Sequence, residues 1–447
     1  MDEIQGLRPV GPGHQFAFYG DSCSGVPGAL HARKLAQVNA VVQRLDPAPE
    51  LIIFPGDEVI GLVPDEAGLR AQWAHFFDVE MAWQRQAGIA MYHCTGNHTT
   101  YDRMSERVFA EVMAHLPRNG PPDQPGLSYF VREGDLLFVF VNTLWSGLGG
   151  EGHLELTWLD QTLTRHADAA WTFVVGHHPA FAVNGYAGTY QRTIGDEYVA
   201  PFWEILTRHR VLAYLCSHIL AFDVQCHQGV LQITSAGAGT AHRMPEGVEY
   251  LHCVQMAVDR QGLRYQVLDE DGGLRERLSW PPGEIETFVP LAAGQNAAPW
   301  RGGQGPGRAV QFKLSGSLAS TPARQTILAA LEDDGRCPLW IGLVGRDEQL
   351  TIVLQPETGR SPHQWLGPSL AGAETFDLEI VIEPDMGPGG FLWRDSGSAT
   401  WTGLHGQSAW GAGRLDWPDR LCVGARTGTA DEMRFAGAAL SVEIAVH

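Results

Sequence analysis

One stretch decides the fold of this chain: Met91-Tyr92-His93-Cys94-Thr95-Gly96-Asn97-His98. Asparagine is unfavourable inside a strand and glycine interrupts regular structure, so the stretch predicts a short buried strand that breaks into a loop after Cys94. The loop presents the amide of Asn97 beside the imidazole of His98. Loops at the carboxyl ends of strands are where α/β proteins tend to place binding and catalytic groups. This loop is therefore a candidate functional site.

Four other segments repeat the pattern of an apolar strand followed by a polar loop. The strands cover 16–19, 51–54, 173–175 and 212–215, and the loops begin Gly20-Asp21-Ser22-Cys23, Pro55-Gly56-Asp57, Gly176-His177-His178-Pro179 and Cys216-Ser217-His218. Apolar residues at helical spacing between the first two strands predict a strand, helix, strand unit with parallel strands. Because parallel strands end at a common edge, we expect one sheet edge to collect Asp21, Asp57, Asn97, His177 and His218.

The remaining segments predict a mixed sheet and a second domain. Two apolar runs within 129–141 flank Glu133-Gly134-Asp135, which is typical of a β-hairpin. After a glycine-rich stretch at 301–307, apolar and polar residues alternate, as in 376–383 and 440–447, which predicts a sandwich of antiparallel sheets. We therefore predict an α/β (α+β) domain at 1–285, a Gly/Pro-rich linker at 286–307 and an all-β, jelly-roll-like sandwich at 308–447.

The overall composition excludes several classes of partner. The 447 residues include 31 basic and 51 acidic side chains, giving a net charge of 31 − 51 = −20. This balance argues against binding to nucleic acid or to an anionic membrane. No apolar run approaches the roughly 18 residues of a membrane span, and the first residues do not resemble an export signal. The seven scattered cysteines fit a reducing compartment, and together these features predict a cytoplasmic protein. The sequence predicts no particular oligomeric state.

The donor atoms at the five strand ends indicate the kind of ligand. Carboxylate, amide and imidazole groups together suit Mn, Fe or Zn, and one carboxylate can bridge two ions about 3.5–4 Å apart. Each residue alone also fits an ordinary role as a capping aspartate, a turn asparagine or a core histidine. Five such strand ends in succession favour a metal site over five independent coincidences.

The ordered set of motifs resembles the calcineurin-like metallophosphoesterases, which include the purple acid phosphatases. The resemblance covers roughly 14–270 and rests on Gly20-Asp21, Gly56-Asp57, Gly96-Asn97-His98, His177-His178-Pro179, Ser217-His218 and Ala236-Gly237-Ala238-Gly239. It implies a four-layer αββα sandwich with two mixed sheets face to face. It also implies hydrolysis of a small-molecule or glycan-linked phosphate mono- or diester by a metal-activated hydroxide. By resemblance, Asp57 bridges two metals, His98 contacts the phosphate and assists the leaving group, and the second metal site is completed by Asn97, His177 and His218.

The first metal site departs from the family pattern. The family takes ligands there from Asp-x-His and Gly-His-x-His, whereas this chain has Asp21-Ser22-Cys23 and Ser217-His218-Ile219-Leu220. Leucine cannot bind a metal, so Leu220 removes one ligand. Cys23 is either a thiolate ligand or a small buried apolar residue. The tyrosine that lies three residues after the bridging Asp in purple acid phosphatases is Ile60 here, so this ligand is absent too. Because the first site is altered, we expect the chain to bind one or two ions.

The surroundings of His98 also differ from the family. Thr99 replaces the acid often found next to this histidine, which leaves Asp102 or a backbone carbonyl to orient the ring. Two glycine-rich loops, 146–153 and 184–192, are expected to frame the site. Arg192 is a candidate catalytic phosphate clamp, with an exposed loop cation as the alternative. Four further histidines either supply a missing ligand or are substrate-facing or structural: His93, His178, His227 and His242.

The end of the chain supports an alternative function. The segments 421–426 and 433–437 resemble the closing strands of laminin-G or concanavalin-A-like sandwiches. Such domains often bind sugars, and the candidate stacking residues are Trp393, Trp401 and Trp410. Otherwise these tryptophans fill the sandwich core or the contact with the first domain. The alternative is therefore a catalytically silent relative that acts as a carbohydrate-binding protein. The retained ligand set of the second metal site and His98 favour a metal-dependent phosphoesterase.

Overall fold

The computed structural model divides the chain into two compact units. The first is formed by most of the chain up to Pro281, and the second by the chain from Pro282 onward together with the short segment Gln225–Gln228. The described residues are 3–7, 13–183, 192–239, 250–283, 287–291, 310–319, 321, 323–332, 336–355, 362–383, 391–406, 420–425 and 433–446.

The first unit contains two six-stranded sheets, with strands numbered here along the chain. In spatial order, the first sheet consists of β14 (Leu274–Trp280), β13 (Gly262–Asp269), β12 (His252–Asp259), β2 (His14–Phe18), β4 (Leu51–Phe54) and β5 (Ala90–His93). The second consists of β10 (Phe222–His227), β11 (Val230–Ser235), β9 (Ala213–Cys216), β8 (Trp171–Val175), β7 (Leu136–Phe140) and β6 (Tyr129–Glu133). A short parallel pair is formed by β1 (Ile4–Gln5) and β3 (Leu45–Asp46).

Both sheets are mixed, as the sequence predicts. In the first sheet β2, β4 and β5 run parallel, while β12 is antiparallel to β2. In the second sheet β7, β8 and β9 run parallel, and β6 and β7 form the predicted antiparallel hairpin.

Aromatic side chains join the two sheets face to face. The ring of Phe16 on β2 lies edge-on to Phe138 and Phe173 of the second sheet, with centroids 5.4 and 5.6 Å apart. All three rings are fully buried. Edge-to-face packing of this kind adds to the free energy gained by burying apolar surface. The interior between the sheets is therefore a close-packed apolar core.

Helices cover the outer faces and complete four layers. Helix α1 buries Leu35, Val38 and Val41, the predicted helical spacing, and packs on β12 and β13. On the other side, α5 and α6 pack Leu159 and Phe202 against the second sheet. The helices are α1 (Leu30–Val42), α2 (Glu66–His75), a π-helical turn (Phe76–Glu80), α3 (Ala82–Ala87), α4 (Arg103–Val112), α5 (Leu156–Arg165) and α6 (Asp196–Arg208). The predicted αββα class is confirmed.

The helices carry no sign of a membrane segment. Within the described ranges, none has both the length and the apolar character that crossing a bilayer requires.

The predicted site strands divide between the two sheets. The loops of Asp21, Asp57 and Asn97 follow β2, β4 and β5 of the first sheet, and those of His177 and His218 follow β8 and β9 of the second. The expectation that all five lie along one sheet edge was therefore wrong. The sequence pattern shows where each strand ends, but sheet membership depends on pairing between strands distant in the chain. The two edges nevertheless lie side by side, because the sheets are stacked.

The second unit is a β-sandwich of two six-stranded antiparallel sheets. One sheet has the order β15 (Val289–Leu291), β26 (Ala438–Val446), β16 (Val310–Ser317), β21 (Thr375–Ile382), β22 (Phe391–Asp395) and β23 (Thr402–Gly403). The other has the order β24 (His405–Gly406), β20 (His363–Ser369), β19 (Gln349–Leu354), β18 (Leu339–Val344), β17 (Gln325–Leu331) and β25 (Arg420–Val423). One apolar cluster draws on both sheets. The predicted all-β architecture is confirmed.

Two details of the second unit bear on the sequence predictions. Strand β15 lies inside the predicted linker 286–307, yet it pairs with the last strand of the sandwich. Trp401 is only 4% exposed and stacks under the guanidinium of Arg394, while Trp393 packs against the sandwich core. Trp410 lies outside the described residues. The packing of Trp393 and Trp401 fits the core-filling alternative rather than sugar stacking.

Candidate functional site

Four donor atoms converge where the two sheets meet. The Nε2 atom of His177 lies 3.0 Å from Asn97 Oδ1 and 3.3 Å from Asp57 Oδ2. The Nδ1 atom of His218 lies 2.9 Å from the same Asn97 oxygen and 3.1 Å from His177 Nε2. A four-coordinate ion with bonds of about 2.0–2.1 Å separates its ligand atoms by roughly 3.3 Å. The four residues therefore have the spacing of a metal-ligand set.

The hydrogen bonds around His177 show why a cation fits there. Its Nδ1 lies 2.9 Å from the carbonyl oxygen of Pro55, which can only accept, so Nδ1 carries the proton of the neutral ring. The other nitrogen then has a lone pair. That lone pair faces the oxygens of Asn97 and Asp57, which are also electron-rich. Converging lone pairs repel one another, so a positive charge among them is strongly favoured.

The titration behaviour of these groups has the same origin. Burial acts to lower the pKa of His177, but the Asp57 carboxylate beside it raises that pKa above its ordinary value. Burial acts to raise the pKa of Asp57, but the charge and hydrogen bond of His177, together with those of His98, outweigh burial and lower the pKa. Burial lowers the pKa of His218 well below its ordinary value, which keeps that ring neutral. A proton on His177 thus supplies the positive charge that a metal ion would otherwise supply.

Asp21 links the two sheets at this site. Its Oδ2 atom accepts hydrogen bonds from the Ser217 hydroxyl and from the backbone N–H of His218, the latter at 2.8 Å. Burial raises the pKa of Asp21 to about 6. The carboxylate therefore fixes the loop that carries His218, and its predicted role as a metal ligand stays a prediction.

The backbone at the site adopts an unusual conformation. Nine non-glycine residues in the described ranges have positive φ, and four of them are predicted site residues: Asp21 (59°), Cys23 (41°), Asp57 (57°) and His218 (66°). Residues other than glycine rarely adopt positive φ, and they do so mostly where the surrounding structure imposes it. Such concentrated strain is typical of functional sites.

The first-site residues give a mixed result. Cys23 is 3% exposed, its N–H donates to the Asp57 carbonyl at 2.8 Å, and its sulfur lies within 4.8 Å of ligand atoms of Asp57 and His98. Leu220 is buried and offers no donor. The thiol is thus close enough to assist a metal, while Leu220 contributes no ligand.

His98 is oriented by the backbone. Its Nδ1 lies 2.8 Å from the carbonyl oxygen of Ile60, and its own N–H donates to Asp57 Oδ1 at 2.9 Å. Asp102 instead caps α4, where its Oδ1 accepts from the N–H of Ser105 at 2.7 Å. Of the two partners expected for His98, the backbone carbonyl is the one present. Nδ1 therefore carries the proton in the neutral ring, and Nε2 is the atom that exchanges protons.

A second group beside the site involves a residue that the sequence did not single out. The carboxylate of Glu151 lies 3.2 Å from His178 Nε2 and 3.1 Å from Arg192 Nη1. A hydrogen bond from His178 lowers the pKa of Glu151 to about 2, and burial lowers the pKa of His178 to about 4. Arg192, the predicted phosphate clamp, is thus ion-paired. Glu151 lies in a glycine-rich loop without strand periodicity, so no local signal marked it.

The other histidines considered as replacement ligands lie elsewhere. His93 is fully buried, and its Nδ1 lies 2.9 Å from Glu58 Oε1. Burial lowers the pKa of His93 to about 3 and raises the pKa of Glu58, which makes the pair a neutral hydrogen-bonded unit. His227 contacts Gln225 at 3.0 Å, and His242 lies outside the described residues, as do 184–191 of the second framing loop.

Comparisons with known proteins give remote structural similarities. No family model matches the chain, and no curated protein matches it. The purple acid phosphatase PPD1 from yellow lupin (Lupinus luteus) seeds matches at 12% identity and TM-score 0.46, over 60% of this chain and 53% of that one. GAP50, the anchor in the inner membrane complex of Plasmodium, matches at 16% identity and TM-score 0.41, over 60% and 88%.

A putative 5'-nucleotidase from Staphylococcus aureus matches at 13% identity and TM-score 0.38, over 59% of this chain and 52% of that one. The chain thus spans about half the length of the phosphatase and of the nucleotidase. Identities and TM-scores this low carry no argument about activity, which has to be argued from the side chains of this chain.

Proposed function

We propose that the first unit is a metal-dependent phosphoesterase. The observation that carries the proposal is the convergence of electron-rich atoms from Asp57, Asn97, His177 and His218, with His98 directly beside them. A ligand set of this composition suits Mn, Fe or Zn, and one or two ions are expected. Such an ion would supply positive charge at the reacting phosphate and lower the pKa of a water molecule.

The side chains around the ion would have separate tasks. Asp57 would hold the ion and neutralise part of its charge, while its Oδ1 fixes the backbone of His98. His98, held through Nδ1 by the Ile60 carbonyl, would present Nε2 to the leaving group. As imidazolium it would donate a proton there, which stabilises the charge that develops when the P–O bond breaks.

The net charge of the chain limits the class of substrate. We propose a small-molecule or glycan-linked phosphate mono- or diester. The net charge of −20 disfavours a nucleic acid substrate or a membrane surface. Asp21 and Cys23 are the candidate additional ligands on the first-site side.

The experiment that tests the function is metal-dependent hydrolysis of a chromogenic phosphate ester. We expect turnover with Mn, Fe or Zn, and loss of most of it in Asn97→Ala and His177→Ala because each removes a ligand atom. His14→Ala is the matched control, since His14 begins the strand whose other end leads to Asp21, and we expect it to retain activity. Unchanged turnover in the two ligand variants would refute the proposal. No turnover with any of these metals would favour the silent, carbohydrate-binding alternative.

A second prediction separates the two partners considered for His98. We expect His98→Ala to lower kcat by about 10²-fold or more, the usual scale of general acid–base catalysis. Asp102→Ala should leave kcat unchanged and lower the free energy of unfolding by about 1 kcal/mol, because it removes only a helix cap. Steady-state kinetics and urea denaturation measure the two effects. A comparable fall in kcat for both variants would show that Asp102, rather than the Ile60 carbonyl, supports His98.

A further inference from the structure

A carboxylate and two imidazoles form a second potential ligand group next to the candidate metal centre. One carboxylate oxygen of Glu151 and one ring nitrogen each of His178 and His218 lie within 4.8 Å of one another. The ring centroids of His178 and His218 are 4.2 Å apart. Two histidines with one glutamate are a common ligand set for a catalytic zinc ion, which keeps its remaining position for water or substrate.

We propose that Glu151, His178 and His218 bind a second divalent transition-metal ion. The inference rests on the proposed function only in taking the neighbouring group around Asp57 and His177 as the site of one ion, which is called the first ion below. His218 belongs to both groups, so the two ions would be neighbours, each bound to a different ring nitrogen of His218, whose N–H proton would leave to solvent. The second ion would then replace the ion of the family's first metal site, where Leu220 stands in the position of a histidine ligand.

The surroundings of His178 hold its ring for such a role. His178 is fully buried, and its Nδ1 lies 2.9 Å from the hydroxyl oxygen of Thr143. That contact leaves Nε2 directed at Glu151, 3.2 Å away. Metal-binding histidines typically have the second ring nitrogen fixed by a hydrogen bond in this way. Thr143 therefore acts as the positioning residue for the His178 ring.

The available ligand atoms distinguish this group from the residues around Cys23. The loop after His218 presents the buried, apolar Leu220, which offers no ligand atom. On the side of Glu151, two imidazoles and a carboxylate are already in mutual contact. The donors near Cys23 are Asp57, which is shared with the first ion, and His98, which is assigned to the leaving group, whereas Glu151 and His178 have no other proposed role.

Arg192 contacts the same carboxylate and competes with an ion for it. Its Nη1 lies 3.1 Å from both carboxylate oxygens of Glu151. The Arg192 side chain is 61% exposed and can move into solvent, whereas His178 is fixed. An arriving ion would therefore displace the guanidinium, and removal of Arg192 should strengthen binding.

The test is titration of the metal-free, full-length protein with Co²⁺, followed by its visible absorption. We expect the unaltered chain to bind two ions and Glu151→Gln to bind one, with affinity for the other lowered about a hundredfold or more. Glu151 is partly exposed in a loop, so this variant should fold, which circular dichroism checks. Arg192→Gln should bind the second ion about threefold more tightly, as expected for removing an exposed ion pair.

Glu155→Gln is the matched control and should still bind two ions, because it removes the same charge from a side chain that only accepts the N–H of Trp158 at the start of α5. The proposal is overturned if Glu151→Gln binds two ions with unchanged affinity, or if the unaltered chain binds only one. It is also overturned if the second ion shows a thiolate-to-cobalt absorption band that disappears in Cys23→Ser, which would place that ion beside the cysteine. Because the readout is the number of bound ions, it stands or fails independently of ester hydrolysis.

Discussion

Asp57→Asn should lower kcat/KM for phosphate ester hydrolysis by on the order of 10³-fold, equivalent to ~4 kcal/mol of transition-state stabilisation. Asparagine has nearly the same shape, so the loop can keep its fold. The substitution removes the charge that faces His177 at 3.3 Å and would hold the ion. We therefore expect metal affinity and turnover to fall together, measured by isothermal titration and steady-state kinetics.

Asp65→Asn is the matched control for this variant. Asp65 caps α2 by accepting from the N–H of Gly68 at 2.8 Å, and asparagine caps helices about equally well. The control removes the same unit of charge from the chain without touching the site. Turnover that falls equally in both variants would mean that Asp57 acts through overall charge rather than as a ligand.

Gly96→Ala should disable the metal centre without altering any ligand. A Cβ atom at this position would overlap the Oδ1 atom of Asp57 and lie 2.5 Å from the Asp57 backbone nitrogen. Asp57 Oδ1 can move only by losing the hydrogen bond that it accepts from the N–H of His98, and the nitrogen can move only with the backbone. Overpacking of this kind costs about 2 kcal/mol of folding free energy, and the displaced carboxylate should abolish most metal binding.

Gly88→Ala provides the comparison. Gly88 ends α3 with φ of 69°, and nothing lies within 4 Å of a Cβ placed there. Alanine in this left-handed conformation costs roughly 1–2 kcal/mol. The two variants should therefore lose similar amounts of stability, measured by urea denaturation, while only Gly96→Ala loses metal binding. Retention of full metal affinity in Gly96→Ala would show that the Gly96 and Asp57 loops are not packed as described.

The strand ends of the first unit could be predicted because each has a strong local signal. An apolar run followed by glycine and a polar residue identified the loops of Asp21, Asp57, Asn97 and His177. An apolar run followed by Ser217 identified the loop of His218, and all five loops follow strands in the structure. The spacing of apolar residues identified α1 in the same way. These signals depend only on neighbouring residues and on the period of the backbone.

The features that the sequence did not predict depend on contacts between segments that are distant in the chain. The division of the five loops between two sheets follows from pairings such as β2 with β12, separated by more than two hundred residues in the chain. The contact of Glu151 with His178 joins two loops with no shared local pattern. Strand β15 was assigned to the linker because its short run has no alternation of its own; its partner is the last strand of the chain.

The backbone partner of His98 has a consequence for how this site tolerates mutation. A carboxylate partner can be lost by a single substitution, whereas a peptide carbonyl is present whatever side chain occupies position 60. Random substitution at Ile60 should therefore spare the orientation of the histidine. The vulnerable neighbour is Gly61, because a Cβ there would collide with the carbonyl oxygen of His98. Genetic variation should accordingly be tolerated at position 60 and excluded at position 61.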